Sequence, residues 1–298
     1  MRYGLLLVVL TLVGCSPVAS ITEHTSDAVL VPMIRADLSE NIPESSGLAY
    51  RLGRFWTIND GGNAPDLFWL DESGQQGRIP IVNAANLDWE TLTTTPEYLV
   101  VGDCGNNRGD RIWFQLHRVK WTSLNRSLLD AQSVKSHSIN VKLDDVVPAV
   151  ERQRHNRDCE AMVTVGDKIW LFTKNWDDQR SRLYVIDPNK DEQALLTRAV
   201  FEAGGLITGA DFDPATQRLA LIGYGSGLSV TQPFIWIVPV INDSPEFTQA
   251  VRYKLGKLGQ WEAVLWHNGT LWVSRETSVL GDAALAEIEL PVDFKTNN

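Results

Sequence analysis

Five short stretches of the sequence resemble one another, and each carries a polar side chain at the same position. In each stretch this residue precedes a short apolar segment, a turn and a run rich in Trp or Leu. Side chains that recur at equivalent repeat positions meet at one place when the repeats close into a ring. Carboxylate and hydroxyl oxygens gathered in this way suit Ca²⁺, which takes about six to eight oxygen ligands. The aligned residues are Ser46, Glu90, Glu160, Thr208 and Glu262.

A calcium site is one of two interpretations of these residues. Glutamates that converge on a dry axis must take up protons, admit water or bind a cation. The five histidines are scattered, and no Cys/His spacing fits zinc, so Ca²⁺ is the favoured cation. In the other interpretation the glutamates only accept hydrogen bonds from the neighbouring repeats. The sequence therefore predicts Ca²⁺ as the cofactor, without an organic cofactor, and structural pairing as the alternative.

The repeats also predict the elements that would position these residues. Each copy supplies a first strand, a second strand after a turn and a third apolar strand, and most copies have room for a fourth. The apolar stretch 29–34 precedes the first copy and lacks a partner, while the last copy runs out of chain. We expect an all-β fold, a single β-propeller of five four-stranded blades that the N-terminal strand closes. A sixth blade within 120–157 is the alternative.

The loops after the second strands should lie at the same end of the ring as the aligned residues, because paired strands run antiparallel. An acidic side chain there could orient or deprotonate water beside a cation, and a basic one could neutralise developing charge. Alternatively, Lys174 and Arg275 pair with Asp178 and Glu276 at the surface. The candidate catalytic residues are Asp60, Asp103, Lys174 and Arg275.

The first residues predict an exported, lipid-anchored protein. A basic start is followed by an apolar run over 4–13, too short to span a bilayer, and then by Cys15. This pattern resembles a bacterial lipobox, in which the Cys is acylated, and Ser16 then implies an outer-membrane lipoprotein of the cell envelope facing the periplasm. An ordinary signal peptide with an accidental Cys is the alternative. The predicted divisions are a signal peptide over 1–14, lipidated Cys15 with a flexible tether over 15–28, and the propeller over 29–298.

Two further cysteines, Cys104 and Cys159, each follow an aspartate at an apparent strand end. Export places the chain in an oxidising compartment, where a disulfide is stable. We therefore expect a Cys104–Cys159 disulfide, and two free thiols are the alternative.

The repeat phrases resemble two groups of proteins. Glu44-Ser45-Ser46-Gly47-Leu48, Asp88-Trp89-Glu90 and Glu262-Ala263 look like a group of secreted bacterial β-propeller proteins of poorly defined function. At a greater distance, the order Ser, Glu, Glu, Ser/Thr, Glu resembles the calcium-activated nucleotidases (apyrases). That resemblance implies Ca²⁺ in the central channel of a five-bladed propeller, hydrolysis of nucleoside di- and triphosphates, and Asp60 near the reacting water. The departures are Thr208 in place of Ser and Lys174-Asn175 in place of a basic pair.

Three functions are consistent with these observations. The first is metal-dependent hydrolysis of phosphate esters or anhydrides. The second is a non-catalytic propeller that binds an envelope protein or glycan, with Trp176 and 120–157 as candidate contacts. The third and least favoured is ester hydrolysis, as in six-bladed lactonase-like propellers. Nucleic acid is not an expected partner, because the formal net charge is −10 and no Lys/Arg-rich stretch is present.

Overall fold

The strands of this protein form five separate sheets, and each sheet is built on the four antiparallel strands of one blade. The computed structural model describes residues 24–145, 151–225 and 232–291. Two N-terminal strands precede the repeats, and they are β1 (His24–Leu30) and β2 (Pro32–Asp37). Blade 1 consists of β3 (Ser45–Arg51), β4 (Arg54–Asn59), β5 (Asp66–Asp71) and β6 (Gln76–Pro80). Blade 2 consists of β7 (Trp89–Thr94), β8 (Tyr98–Asp103), β9 (Phe114–Lys120) and β10 (His137–Leu143), with helix α1 (Trp121–Asp130) between the last two.

The remaining three blades have the same order from the inside outwards. Blade 3 consists of β11 (Asp158–Val165), β12 (Lys168–Lys174), β13 (Arg180–Ile186) and β15 (Ala199–Glu202), while β14 (Glu192–Leu195) pairs with β10 of blade 2. Blade 4 consists of β16 (Leu206–Asp213), β17 (Arg218–Tyr224), β18 (Pro233–Ile241) and β20 (Val251–Leu255), with the short β19 (Ser244–Pro245) beside β18. Blade 5 consists of β21 (Trp261–His267), β22 (Thr270–Arg275), β23 (Ala284–Ile288) and β2.

The five first strands close into a ring. They pack side by side in the order β3, β7, β11, β16, β21 and back to β3. The N-terminal strand β2 pairs antiparallel with β23 and completes blade 5. The predicted all-β, five-bladed propeller with N-terminal closure is therefore confirmed. The alternative of a sixth blade is wrong, because the described part of 120–157 supplies α1 and the fourth strand of blade 2.

A separate apolar core fills each gap between neighbouring blades. Large side chains in these cores, such as Trp56, Phe172 and Trp236, are almost completely buried. Runs such as Leu219–Ile222 are buried residue after residue, because a second strand is covered by a blade on each face. The core between blades 5 and 1 is built around Leu48, Phe55, Leu70, Ala263, Leu265 and Leu285, and its six fully buried members make it the smallest of the five.

A strand of the structure lies before residue 29, the predicted start of the propeller. Residues 24–30 form β1, which pairs in parallel with β20 at the outer edge of blade 4. Strand pairing at an open edge uses backbone groups, so the polar residues of this stretch do not prevent it. The part of the predicted tether from His24 onwards is thus strand. Cys15, the predicted signal peptide and the earlier tether lie outside the described residues.

In the described part of the chain, none of the helices has the length and apolar character needed to cross a membrane.

Candidate functional site

Strand irregularities turn the aligned polar residues towards the axis of the ring. In β7, β11, β16 and β21 the pairing with the second strand skips one residue, and the skipped residue is the aligned one. A bulge of this kind leaves one residue outside the ladder and redirects its side chain. In β3 the skipped residues are Gly47 and Leu48, directly after Ser46. The repeated bulge is the local feature that gathers the site.

The side chains meet in a small polar cavity of about 90 Å³ at one end of the channel. Glu90, Glu160 and Glu262 lie in its wall, as the sequence predicts, and Asp60 and Lys174 join them. Tyr224 and Glu276 also line the cavity, although neither was among the predicted site residues. The full lining is Ser46, Asp60, Glu90, Asn107, Glu160, Lys174, Tyr224, Gln260, Glu262 and Glu276.

Three carboxylates converge at one side of this cavity. One oxygen from each of Asp60, Asp88 and Glu90 lies within 4.8 Å of the other two. Asp88 is a ligand candidate that the sequence analysis missed. The feature of the sequence that could have identified Asp88 is its position two residues before Glu90. That position is not decisive, because the equivalent residue of blade 3, Asp158, is engaged in hydrogen bonds. Its carboxylate accepts hydrogen bonds from Trp176 Nε1 (2.7 Å) and from the backbone N–H of Asn106 (2.5 Å).

Burial and mutual repulsion raise the pKa values of the acids of the site. Loss of hydration, together with the charges of Glu160 and Asp60, raises the pKa of Glu90 well above its ordinary value. Burial and the charges of Asp60 and Asp158 raise the pKa of Asp88 to about 6. Burial and the nearby Glu262 raise the pKa of Glu276 to about 8. A bound cation would compensate these charges and lower the pKa values of the carboxyl groups that hold it.

Lys174 supplies a buried positive charge in the same cavity. Its Nζ lies 3.2 Å from Glu160 Oε2 and over the rings of Trp176 and Tyr224, at 5.0 and 5.4 Å from their centroids. Burial opposes this charge, but the carboxylates of Glu160, Glu262 and Glu90 outweigh it and hold the pKa of the ammonium well above its ordinary value. Lys174 therefore pairs inside the channel and not with Asp178, which pairs with Arg182 (2.9 Å).

The second carboxylate oxygen of Glu160 is buried and unpaired. Glu160 is 2% exposed, and its Oε1 has no hydrogen-bond partner among the residues that the structure describes. An unpaired carboxylate oxygen is costly when it is buried, so such an atom indicates a missing donor, water or ion.

The two hydroxyl residues of the aligned set connect neighbouring blades. Ser46 Oγ donates a hydrogen bond to the backbone oxygen of Glu90 (2.5 Å), and Thr208 Oγ1 donates to that of Trp261 (3.1 Å). In each case a first strand is joined to the next first strand. The two hydroxyl residues therefore fit the interpretation of structural pairing, because each donates its proton to a backbone oxygen of the next blade. The glutamates fit that interpretation less well.

Two predicted catalytic residues are not brought to the cavity. Asp103 accepts hydrogen bonds from Arg111 (2.7 Å) and from the backbone N–H of Asp88 (3.1 Å). Burial opposes its charge, but His117 and Arg111 outweigh this effect and lower the pKa of its carboxyl group. Arg275 donates from Nε and Nη2 to the backbone oxygen of Asp282 (3.0 and 2.8 Å). Both side chains fix loops at the channel mouth. Asp103 joins the loop after β8 to the segment before β7, and Arg275 turns back onto the loop after β22.

The two cysteines form a disulfide behind the acidic cavity. Cys104 follows β8 of blade 2, Cys159 precedes Glu160 in blade 3, and their Cα atoms are 5.3 Å apart. The next residue, Gly105, passes so close to the acids that a Cβ would lie 2.3 Å from Glu90 Oε1 and 2.6 Å from Asp88 Cγ. The disulfide therefore links two blades at the point where the carboxylates are packed.

Comparison with known proteins gives similar folds only. No family model matches the sequence, and no curated protein matches it. Hydrazine synthase of Kuenenia stuttgartiensis is 11% identical with a TM-score of 0.43, and the match covers 80% of this chain and 57% of that one. A streptogramin B lyase is 10% identical with a TM-score of 0.42 over 87% of both chains. A GH43 β-1,3-galactosidase is 10% identical with a TM-score of 0.49 over 87% of this chain and 93% of that one. These values are too low to transfer a function.

Proposed function

We propose that this protein is an envelope propeller that binds Ca²⁺ at the mouth of its central channel. The observation that carries the proposal is the convergence of Asp60, Asp88 and Glu90 within 4.8 Å. The oxygen ligands that these residues offer are those of a hard cation, and the irregular arrangement suits Ca²⁺ better than Mg²⁺. Glu160 Oε1, buried and without a partner, provides a further oxygen in the same cavity.

The charge balance of the cavity supports a cation. Its lining contributes five carboxyl groups and the ammonium of Lys174, and Asp88 adds a sixth acid beside them. Burial and the neighbouring carboxylates raise the pKa values of Glu90, Glu160 and Glu262, which supports a role for a counter-charge in the cavity. A divalent ion would offset two of the negative charges without any rearrangement of the blades.

The test is metal analysis of the full chain purified in detergent, together with thermal melting with and without a chelator. We expect close to one Ca²⁺ per chain and a lower melting temperature after chelation, because binding to the folded state alone stabilises it. The Asp88→Asn variant should lose the metal, whereas Asp167→Asn, at an exposed turn, should retain it. Absence of metal with unchanged melting would exclude the site.

Hydrolysis of phosphate esters or anhydrides is the catalytic form of this proposal. Lys174 favours it, because a buried ammonium lies in the same cavity as the three-carboxylate group. Ca²⁺ would polarise a phosphoryl oxygen, while Asp60 could orient water and Lys174 could neutralise developing charge. Phosphate release from ATP, ADP and p-nitrophenyl phosphate should require Ca²⁺ and fall in Lys174→Met. Cleavage of a lactone alone would indicate the lactonase-like alternative, and no turnover would favour a binding or scaffold role.

We also propose that Cys15 carries the lipid anchor that holds the propeller at the outer membrane on the periplasmic side. Support comes from the sequence pattern of residues 1–15. Labelling with radioactive palmitate should be lost in Cys15→Ser, and membrane fractionation should then recover the chain in the soluble fraction. A Cys15→Ser chain that keeps the label would contradict the anchor.

A further inference from the structure

A second and larger cavity lies between blades 5 and 1, at the end of the ring opposite the acidic mouth. Its volume is about 280 Å³. The turn after β5 in blade 1 and the turn between β21 and β22 in blade 5 form its two sides. The latter turn is built on Asn268 and Gly269, both with positive φ (51° and 75°), as a tight two-residue hairpin requires. Turns that connect neighbouring strands therefore form both sides of the cavity.

Aromatic rings and apolar side chains form the inner wall of this cavity. Phe55 packs on Trp272 with ring centroids 4.6 Å apart, and His267 lies 5.5 Å from Phe55. Tyr50 stacks on His267 at 3.8 Å. Trp272 is half-buried, so part of its indole surface is open to the cavity. Burial lowers the pKa of His267 and thereby disfavours the charged form of its ring. This wall suits the apolar face of a ligand.

The rim consists mainly of hydrogen-bond acceptors. Asp71, Glu72 and Glu287 bring three carboxylates, against the single guanidinium of Arg35. Arg35 is already engaged, because its Nε and Nη2 lie 2.9 and 2.8 Å from Glu287 Oε2. Glu72 Oε1 accepts from the hydroxyl of Tyr50 (2.9 Å). A ligand must therefore bring donors to the rim, and the negative rim disfavours an anionic ligand.

We propose that this cavity binds a non-acidic pyranose unit of a glycan. A pyranose ring has an apolar face of C–H groups that can cover Trp272 and hydroxyl groups around its edge that can donate to Glu72 and Asp71. The amide of Asn268 stands at the same rim and can contact a ring substituent. An aromatic wall with a few well-placed polar groups is the usual composition of a small-ligand site. The lining of this cavity includes neither Trp176 nor the described part of 120–157, the candidate contacts with an envelope protein or glycan in the binding hypothesis.

The experiment is a titration of the full chain in detergent with oligosaccharides, followed by tryptophan fluorescence and calorimetry. The probes are cellotetraose, maltotetraose, xylotetraose and N-acetylchitotetraose, with trigalacturonate as the acidic comparison. We expect saturable binding of at least one neutral probe and none of trigalacturonate. Saturable binding of trigalacturonate alone, or of no probe, would overturn the proposal.

Matched variants locate the binding. Trp272→Phe keeps an aromatic core and Glu72→Gln keeps the shape of the rim, and each should weaken binding about tenfold or more. Trp113→Ala removes an exposed indole (41% exposed) at the other end of the ring and should leave binding unchanged. All three variants should bind Ca²⁺ as the parent does, so loss of sugar binding is distinguishable from failure of the channel site. Equal effects of Trp272→Phe and Trp113→Ala would place the sugar elsewhere and contradict this site.

Discussion

At the scale of single residues, the proposed calcium site includes an acid that the repeats do not predict. Asp88 lies beside Asp60 and Glu90, and its pKa is raised to about 6 by burial and by the surrounding acids. Replacing it with Asn keeps the shape but removes one charge. We expect Asp88→Asn to bind Ca²⁺ at least tenfold more weakly, which is a loss of about 1.4 kcal/mol in the free energy of binding.

The same variant should leave the metal-free protein equally stable or more stable, because the substitution removes a repelled buried carboxylate. Isothermal titration with Ca²⁺ and urea unfolding in chelator measure the two effects. A variant that loses stability in chelator and keeps its Ca²⁺ affinity would show that Asp88 is structural.

Lys174 gives a second prediction at this scale. Lys174→Met would leave the Glu160 carboxylate buried without its partner, 3.2 Å away in the parent. Breaking a buried pair by removing one member costs about 3–5 kcal/mol. Urea unfolding in the presence of chelator should show that the free energy of unfolding decreases by about this amount. The double variant Glu160→Gln/Lys174→Met should lose much less, and equal losses in the single and double variants would argue against the pair.

At the scale of elements, hydroxyl groups between first strands hold the ring together at the channel mouth. Thr208 Oγ1 is 3.1 Å from the backbone oxygen of Trp261, across the contact of blades 4 and 5. Thr208→Val keeps the volume and leaves that oxygen without its donor, which costs about 1–3 kcal/mol for a buried group. Chemical denaturation measures the change. Thr208→Ser retains the hydroxyl and should lose less stability than Thr208→Val. A larger loss of stability in Thr208→Ser would contradict the role of the hydrogen bond.

The elements also show why the sequence predicted only part of the site. The recurring phrases were sufficient to place Glu90, Glu160 and Glu262 in one cavity, because equivalent repeat positions face the same axis. The bulge that exposes each glutamate has no local signature, since a strand with one extra residue reads like any other strand. Asp103 and Arg275 were assigned to the cavity from their position at strand ends, but that position does not determine the direction of a side chain. Both side chains instead hold loops at the channel mouth.

At the scale of the whole molecule, the acidic mouth makes the stability of the metal-free protein depend on pH. The pKa of Asp88 rises from 3.8 to about 6 and that of Glu276 from 4.5 to about 8 on folding. The folded state therefore binds these protons more tightly than the unfolded state, so stability falls as pH increases between these values. Urea midpoints in chelator should decrease from pH 5 to pH 8.5. Saturating Ca²⁺ should flatten or reverse the trend, and a midpoint that rises with pH in chelator would contradict it.

The ring is closed by a pairing between the two ends of the chain. Pro32 of β2 lies opposite Ile288 of β23, so the contact spans nearly the whole sequence. During synthesis β2 emerges before any of the five blades, and its partner β23 emerges only after the first four. Until then β2 presents an unpaired edge, which is a template for wrong strand pairing and aggregation. Contacts between such distant residues also form slowly, because a long loop must close before they yield any free energy. Release of a mature ring should therefore wait for the last blade, and a chaperone that shields strand edges should increase the yield.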